Sequence, residues 1–268
     1  MNNAFKVLFG QTMRSISFLS RLPVPQRYFL EGEEPHSMHQ DSAAFPLAGI
    51  AIALLPAFLL MALSLIGLPP YLSASFAVLT LVAVSGAFHE DGLADVADGF
   101  GGGSTTQRRL EIMKDSRIGA FGALALTGGL LLRVGAVGSI LEYRGAVAAS
   151  LTMIAVAAGS RAAIVWFWAN LPSARPDGLA GSLETPSTDA VRRAGIVGLS
   201  IFAILATTAN GFLAMATALV LAFAVFRGFE YLCRQMIGGQ TGDTLGACQQ
   251  LVEIASLAGL ASRITIPT

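Results

Sequence analysis

Long apolar runs alternate with short polar segments along this chain, and the apolar runs predict membrane-spanning helices. The stretch 44–67, "AFPLAGIAIALLPAFLLMALSLIG", contains no charged residue. At 1.5 Å per residue it is long enough to cross the roughly 30 Å hydrocarbon core of a bilayer. Further candidate spans are 71–88, 119–141, 146–169 and 194–226, and a weaker candidate is 249–266.

The run 194–226 is too long for one span and has a turn signal near its centre. Asn210 and Gly211 form a turn-forming pair within a mostly apolar stretch. We therefore predict a tight hairpin between two short helices. The whole pattern predicts an all-α fold, a polytopic integral membrane helical bundle with six or seven transmembrane helices, as a single membrane-embedded domain over 1–268.

The N-terminal segment has an amphipathic pattern. Lys6, Gln11 and Arg14 interrupt its apolar positions and no A-x-A cleavage pattern follows, which argues against a cleaved signal peptide. We expect an N-terminal amphipathic helix that either lies in the membrane surface or packs on the bundle. Its apolar residues at helical spacing are Phe5, Leu8, Phe9, Met13, Ile16 and Leu19.

The composition agrees with a membrane protein. Charged residues make up 13% of the 268 residues and the mean hydropathy is +0.65, whereas soluble domains carry about 25% charged residues. The formal net charge of zero argues against a nucleic-acid partner, for which a basic face is expected. The two cysteines, Cys233 and Cys248, predict neither a disulfide framework nor a zinc site.

The charges are distributed unevenly between the two ends of the predicted spans. With a cytoplasmic N-terminus, the segments 1–43, 89–118, 170–193 and 227–248 share one side and hold 13 of the 17 Lys and Arg residues. By the positive-inside rule these segments face the cytoplasm of a cell inner membrane. They also hold 15 of the 17 acidic residues, which that rule does not explain. We therefore expect a functional site at the cytoplasmic mouth of the bundle.

One polar segment carries most of the candidate chemistry. In "FHEDGLADVADGFGGG", 88–103, a helix places Asp91, Asp95 and Asp98 within an arc of about 60° over roughly 10 Å of its axis. Like charges this close need a cation, and carboxylate oxygens are ligands suited to Mg²⁺ or Mn²⁺. The alternative is a solvated acidic helix end, or structural pairing with nearby basic residues.

Two features beside the aspartates bear on catalysis. Gly101 and Gly102 belong to a glycine run that lets backbone N–H groups approach a phosphate closely. His89 precedes the aspartates and either acts as a base near neutral pH or is simply hydrogen-bonded.

Two more polar segments are expected to meet this one. The segment "MKDSRIGAFG", 113–122, supplies Lys114, Asp115 and Arg117, and its cationic groups are placed to hold phosphate oxygens. The segment "GGQTGDTLGA", 238–247, is a glycine-rich turn. It offers Gln240, Thr241 and Asp243.

Two arginines fall inside predicted spans. Arg133 and Arg161 should face the bundle interior or a wet cavity, because an unpaired charge in the membrane is costly. A structural ion pair and a role in binding an anionic substrate are both open. Interspersed small residues such as Gly128, Gly135 and Gly138 permit close helix packing, within one subunit or in a homo-oligomer.

Taken in order, these motifs resemble the cobalamin synthase family, the adenosylcobinamide-GDP ribazoletransferases. The resemblance covers nearly the whole chain and rests mainly on 86–102, 112–122 and 238–247, with weaker support from "FLSRLPVP" and "FPLAGI". Members often carry Leu or Phe between the histidine and the first aspartate of the first motif. Here Glu90 occupies that place, a fourth carboxylate on a different helical face with a potential effect on metal affinity.

The resemblance implies the last step of nucleotide loop assembly. Adenosylcobinamide-GDP is joined to α-ribazole, or to its 5′-phosphate, GMP is released, and Mg²⁺ is required. We expect the ribazole 5′-oxygen to attack the phosphorus attached to cobinamide, in line with the departing GMP.

The resemblance also implies roles for particular residues. Asp91, Asp95 and Asp98 bind the metal, and Asp98 or His89 is the base. Phosphate oxygens are held by Lys114 and Arg117. Asp243 completes the metal shell or orients a substrate hydroxyl.

Two rival functions remain at this stage. The spaced aspartates are similar to those of CDP-alcohol phosphotransferases, but the D-G-L-A-D-V of this chain has no arginine at the sixth place and no matching final pair of aspartates. A secondary transporter would bind coupling ions with acidic residues near midspan, whereas these acidic residues lie at the boundary of a span.

Overall fold

The computed structural model describes residues 3–30, 38–175 and 184–262, and within these ranges the protein is helical with one isolated bridge between Ser173 and Gln240. A short 3₁₀ turn, Ser42–Ala44, precedes α4. The helices are α1 Asn3–Leu19, α2 Arg27–Leu30, α3 Met38–Asp41, α4 Phe45–Leu65, α5 Pro70–Ser85, α6 Phe88–Gly102, α7 Thr106–Ile112, α8 Ala120–Asn170, α9 Thr188–Asn210, α10 Phe212–Ile237 and α11 Gly242–Ala261.

Several of these helices have the length and composition of membrane spans. Within the described ranges, four qualify, and a fifth is counted if α5 and α6, bent by 89° at their junction, form one broken span. The four are Met38–Leu65, Ala120–Asn170, Thr188–Asn210 and Phe212–Ile237. The all-α membrane bundle is supported, while the count of six or seven spans stays a prediction.

The 51-residue α8 reverses direction at Gly145. There the backbone has φ 82° and ψ 173°, a conformation that glycine adopts without strain. Arg133 and Arg161 would lie about 42 Å apart along a straight helix. Instead, their guanidinium groups lie 2.9 and 3.9 Å from the two carboxylate oxygens of Glu253. The two halves of α8 therefore run back along each other, as the separate predicted elements 119–141 and 146–169 require.

Two further turns set the course of the chain. Asn210 and Gly211 separate α9 from α10, which confirms the predicted hairpin. The other turn, at Gly86 and Ala87, is left-handed and ends α5, so the predicted span 71–88 stops three residues early. After this turn the axis of α6 makes an angle of 89° with the axis of α5. The residues of α6 therefore do not continue the apolar helix α5.

The core forms where α8 packs against α4, α5, α9 and α11. The second half of α1 joins this core, because Ile16 and Leu19 are buried and Arg14 forms a two-bond ion pair with Asp41. Near the start of α1, Phe5 and Phe9 are 53% and 42% exposed. The N-terminal helix thus packs on the bundle with one end and presents an apolar surface with the other.

The two arginines predicted to lie inside spans, Arg133 and Arg161, are buried and face carboxylates. Arg133 Nη1 donates to Glu90 Oε1 at 2.7 Å, and Arg133 also pairs with Glu253 on α11. Both arginines are 1% exposed and Glu90 is 7% exposed. The structural pairing is therefore confirmed for Arg133. Glu90 points into the bundle and away from the aspartates, on a different helical face as predicted, and its effect on metal affinity stays a prediction.

Candidate active site

Helix α6 carries the aspartates of the first motif as predicted. It is helical from Phe88 to Gly102, so Asp91, Asp95 and Asp98 share one side, and the charges of Asp91 and Asp98 both act on Asp95. On the opposite side the apolar Leu93 and Val96 are buried. This division of the helix holds the carboxylates at the surface of the bundle.

The start of α11 lies directly against α6 because Gly92 has no side chain. A Cβ atom at Gly92 would lie 2.5 Å from the carbonyl oxygen of Asp243, and one at Gly246 would lie 3.2 Å from the Cα of His89. The close approach brings Asp243 to the three aspartates of α6. We call this group, Asp91, Asp95, Asp98 and Asp243, the acidic site.

Burial and neighbouring carboxylates raise the pKa values of two members of the acidic site, Asp95 and Asp243. Burial, followed by the charges of Asp91, Asp243 and Asp98, raises the pKa of Asp95 to about 7. The pKa of Asp243 is also raised, mainly by burial, with Arg175 acting in the opposite direction. Within the described ranges, no three His, Cys, Asp or Glu side chains already surround one common metal position. The acidic site thus holds four neighbouring carboxylates, of which Asp98 and Asp243 have protein donors.

Asp98 also anchors the start of α8. Its Oδ2 accepts a hydrogen bond from the Gly119 amide at 2.7 Å, and its Oδ1 accepts one from the Gly122 amide at 2.8 Å. The carboxylate satisfies free N–H groups at a helix N-terminus, where negative charge is favoured. This contact joins the segment 113–122 to α6, as expected. It also engages both oxygens of a residue predicted to be a metal ligand or a base.

The segment 238–247 is held by Gln240 and Thr241. The backbone N–H of Gln240 donates to Pro172 O, and the backbone carbonyl of Gln240 accepts from the Ala174 N–H, both at 2.8 Å. Thr241 caps α11 in a capping box with Thr244, which begins the helix seven residues before the predicted 249. Both predicted substrate-binding residues are buried, and their bonds fix the position of Asp243. The predicted end of this helix, 263–266, lies outside the described residues.

Arg175 is a member of the site that sequence analysis missed. Its Nη1 donates to Asp243 Oδ2 at 3.1 Å, and its Nη2 donates to Leu110 O at 2.6 Å. Its Nε is buried and has no hydrogen-bond partner in the part of the chain that the structure describes. The only signal in the sequence was that Arg175 is one of three arginines in the loop 170–193, which was predicted to face the same side.

Lys114, Asp115 and Arg117 lie on the loop between α7 and α8. Arg117 is paired with Asp115 at 2.6 Å, its side chain is 87% exposed, and its hydrogen bonds lower the pKa of Asp115 to about 2. Lys114 is exposed as well. The hydrogen bonds of Asp98 to Gly119 and Gly122 hold the end of this loop beside the acidic site. The side chains of Lys114 and Arg117 extend into solvent.

Gly101 and Gly102 form the last residues of α6. The helix runs through both positions, so their amides belong to its hydrogen-bond pattern and do not form the predicted phosphate-binding loop. A Cβ atom at Gly101 would lie 2.7 Å from the ring of Phe121. Here the glycine run serves packing against α8.

His89 is buried in the first turn of α6, where it is 4% exposed. Burial lowers the pKa of its ring, and the charges of Arg161 and Arg133 lower it further. His89 and Asp91 both line a cavity of about 590 Å³ that reaches from α6 to α1, α4, α8 and α11. The predicted base therefore lies beside a partly open cavity next to the acidic site.

Known proteins are similar to this chain over almost its full length. A sequence model of the cobalamin-5-phosphate synthase family matches residues 11–261. Proteins named adenosylcobinamide-GDP ribazoletransferase from Brucella anthropi and Brucella ovis are 46% and 47% identical over 253 residues, which is 94% of this chain and 96% of each relative. The protein of that name from Brucella suis is also 47% identical over 253 residues. No solved structure matches the chain.

Proposed function

The chain belongs to the cobalamin-5-phosphate synthase family, and we propose that the acidic site is where it catalyses its reaction. The protein is an enzyme of the last step of nucleotide loop assembly. It joins adenosylcobinamide-GDP to α-ribazole, or to the 5′-phosphate of α-ribazole, and releases GMP. Asp95, at the centre of the acidic site, is the residue on which this assignment depends most.

The observation that carries the proposal is the crowding of carboxylates around Asp95. Burial, together with the charges of the neighbouring carboxylates, raises the pKa of Asp95 to about 7, so a proton or another cation is favoured there, and carboxylate oxygens fit Mg²⁺ or Mn²⁺. Asp91 and Asp95 hold the ion in this proposal, and Asp243 completes its shell. Asp98 contributes through the lone pairs that its two amide contacts leave free. When bound, the metal ion neutralises charge on the diphosphate oxygens.

The attacking atom is a ring hydroxyl of the ribose. The family description names a cobalamin 5-phosphate as the product, so a 5-phosphate carried in by the substrate survives the reaction. The expectation that the ribazole 5′-oxygen attacks is therefore wrong for the phosphorylated substrate. The ribose hydroxyl oxygen bonds to the phosphorus attached to cobinamide, and the bond from that phosphorus to the bridging oxygen breaks. The bridging oxygen leaves with GMP.

His89 accepts the hydroxyl proton in this proposal. Both Asp98 oxygens already hold backbone amides, whereas His89 lines the cavity beside Asp91. Geometry thus favours the histidine between the two bases that the sequence left open.

The leaving GMP is held by cations around the acidic site. Arg175 lies against Asp243, and among the described residues its buried Nε has no hydrogen-bond partner, so its guanidinium has donors to offer a phosphate oxygen. Lys114 and Arg117 are on the adjoining loop and reach the same phosphates from solvent, with Asp115 orienting Arg117. Gln240 and Thr241 act by fixing the turn before α11.

The enzyme lies in the cell inner membrane with the acidic site facing the cytoplasm. The loops around the site carry most of the Lys and Arg residues, which supports this orientation. The turns at Gly145 and Gly211 then face the other side. Counting the two halves of α8 separately, with α5 as one further span, gives six spans, and α11 is the candidate for a seventh.

Substitution of Asp95 by Asn tests the proposal. The purified protein in detergent is assayed for GMP release from adenosylcobinamide-GDP and α-ribazole over a range of Mg²⁺ concentrations. We expect Asp95→Asn to lower turnover at least a hundredfold, because one donor to a catalytic metal ion is lost. Glu142→Gln is the matched control, since Glu142 is exposed and lies beside Gly145. Undiminished turnover of Asp95→Asn would exclude the acidic site as the metal site. Flux into sealed vesicles without GMP would indicate a transporter.

A further inference from the structure

The cavity beside the acidic site has the size and lining of a pocket for an aromatic base, and we propose that it binds the base of the ribazole substrate. This inference rests on the transferase function proposed above. It assigns the pocket to one of the two substrates and fixes the direction from which that substrate enters the acidic site.

The first argument is the chemistry of the cavity wall. Four elements contribute aromatic side chains to it: Phe18 from α1, Phe45 from α4, Phe88 from α6 and Trp168 from α8. Phe18 and Phe45 stack with ring centroids 5.9 Å apart, and Trp168 is only 2% exposed. Aromatic side chains are the usual platforms for planar bases. A wall of this kind selects a flat, apolar group.

The second argument concerns size. A cavity of about 590 Å³ lies within the usual range for a drug-sized ligand. A nucleoside fits that range. The corrin ring of the other substrate, with its side chains and attached nucleotide, does not.

The third argument concerns polarity, because GDP also carries a base. The edge of guanine bears several donors and acceptors, and each would need a partner in a buried pocket. Of the polar side chains on the α1 side, Ser20 already donates to Ile16 O and accepts from the Leu22 amide. Ser17 and Arg21, whose guanidinium lies over the ring of Phe88, are then the two partners on that side for all the polar atoms of a guanine edge. A benzimidazole-type base, whose outer edge is apolar, needs no such partners.

The remaining polar lining residues account for the ribose. His89 and Asp91 come from α6, and Asp243 comes from α11. A base held against Phe88 and Trp168 extends its ribose toward these three residues. The ribose hydroxyls then lie between the proposed base, His89, and the acidic site that binds the diphosphate. Binding in the cavity thus orients the attacking hydroxyl.

The two tryptophans of the chain allow a direct binding test. Trp168 lines the cavity, whereas Trp166 is 42% exposed and lies outside it. In Trp166→Phe, Trp168 is the sole emitter, and titration with α-ribazole in detergent, without adenosylcobinamide-GDP, should give saturable quenching. In the matched variant Trp168→Phe, the same titration should leave the emission of Trp166 unchanged. GMP should give no saturable signal in Trp166→Phe. Saturation by GMP without any response to α-ribazole would overturn the proposal.

A kinetic test uses Phe88, which is 44% exposed and so tolerates substitution. Loss of one stacking ring in Phe88→Leu should raise the KM for α-ribazole about tenfold, with the KM for adenosylcobinamide-GDP within twofold. Phe58→Leu, at a 72% exposed position of α4, is the control and should change neither KM. A rise in the KM for adenosylcobinamide-GDP alone, or no change in either, contradicts the proposal.

The outcomes separate this inference from the function on which it rests. Quenching by α-ribazole without GMP release from the unaltered enzyme would refute the transfer reaction and keep the binding pocket. GMP release with neither quenching nor a change in KM would keep the transfer reaction and refute the pocket assignment.

Discussion

Substitution of Gly92 by alanine tests whether the spacing between α6 and α11 sets the activity. The new Cβ atom would lie 2.5 Å from the carbonyl oxygen of Asp243, whereas non-bonded heavy atoms are comfortable near about 3.5 Å. The two helices must therefore separate by about 1 Å. Asp243 moves with α11, so the acidic site widens by the same distance.

The expected loss follows from that displacement. A misplacement of about 1 Å costs about a hundredfold in rate when reacting groups are preorganised, and overpacking of this kind costs about 1–3 kcal/mol of stability. We expect the kcat for GMP release to fall by about that factor in Gly92→Ala. The thermal unfolding midpoint, measured in the same detergent, shows how much of the protein stays folded.

Two further alanine variants make the test graded. Gly246→Ala at the same interface places its Cβ atom 3.2 Å from His89 Cα, so a shift of a few tenths of an ångström and a loss of roughly tenfold are expected. Gly135→Ala in α8 meets no atom within 4 Å and should behave as the unaltered enzyme. The reasoning is refuted if folded Gly92→Ala keeps at least half of the kcat, or if the order of the three variants is reversed.

Three other predictions follow from the site and its surroundings. The pKa of Asp95 is raised to about 7, above its value in the unfolded chain, so the metal-free enzyme should unfold at a lower temperature at pH 8 than at pH 6. Mg²⁺ affinity measured by calorimetry should fall as the pH drops through 7, and Asp95→Asn should remove both trends. In Asp98→Asn, an NH₂ group replaces one of the two carboxylate oxygens that accept backbone amides. The free energy of unfolding, measured with denaturant, should fall by about 1–3 kcal/mol with or without Mg²⁺. Equal stability would exclude the anchoring role. Arg133→Met leaves buried carboxylates without their partner and should cost about 3–5 kcal/mol, and a loss below 1 kcal/mol would show that water reaches this ion pair.

The parts of the fold that depend on local pattern were predictable from the sequence. The apolar runs and the pair Asn210 and Gly211 led to helices and a hairpin that the structure contains. Helical spacing alone placed Asp91, Asp95 and Asp98 on one side of α6. In each case residues near in sequence determine the geometry.

Contacts between distant segments were not predictable in the same way. Asp98 bonds to amides 21 and 24 residues ahead, and no local signal distinguishes such a carboxylate from a metal ligand. Helical spacing put Glu90 on a different face from the aspartates, but its partner Arg133 is 43 residues away and could not be identified locally. Arg175 takes its role from Asp243, on an element that begins 67 residues later. These partners are set by packing, which a single sequence does not display.

The right-angled corner between α5 and α6 determines the depth of the proposed catalytic groups in the proposed orientation. In the orientation proposed above α5 spans the membrane, so α6, bent 89° from it, lies along the membrane surface with its carboxylates spread sideways at one level. A diphosphate can then remain in the hydrated headgroup layer throughout the reaction, and no charge needs to descend into hydrocarbon. The corner thus lets a lipid-embedded protein handle a strongly hydrated anion at the water boundary.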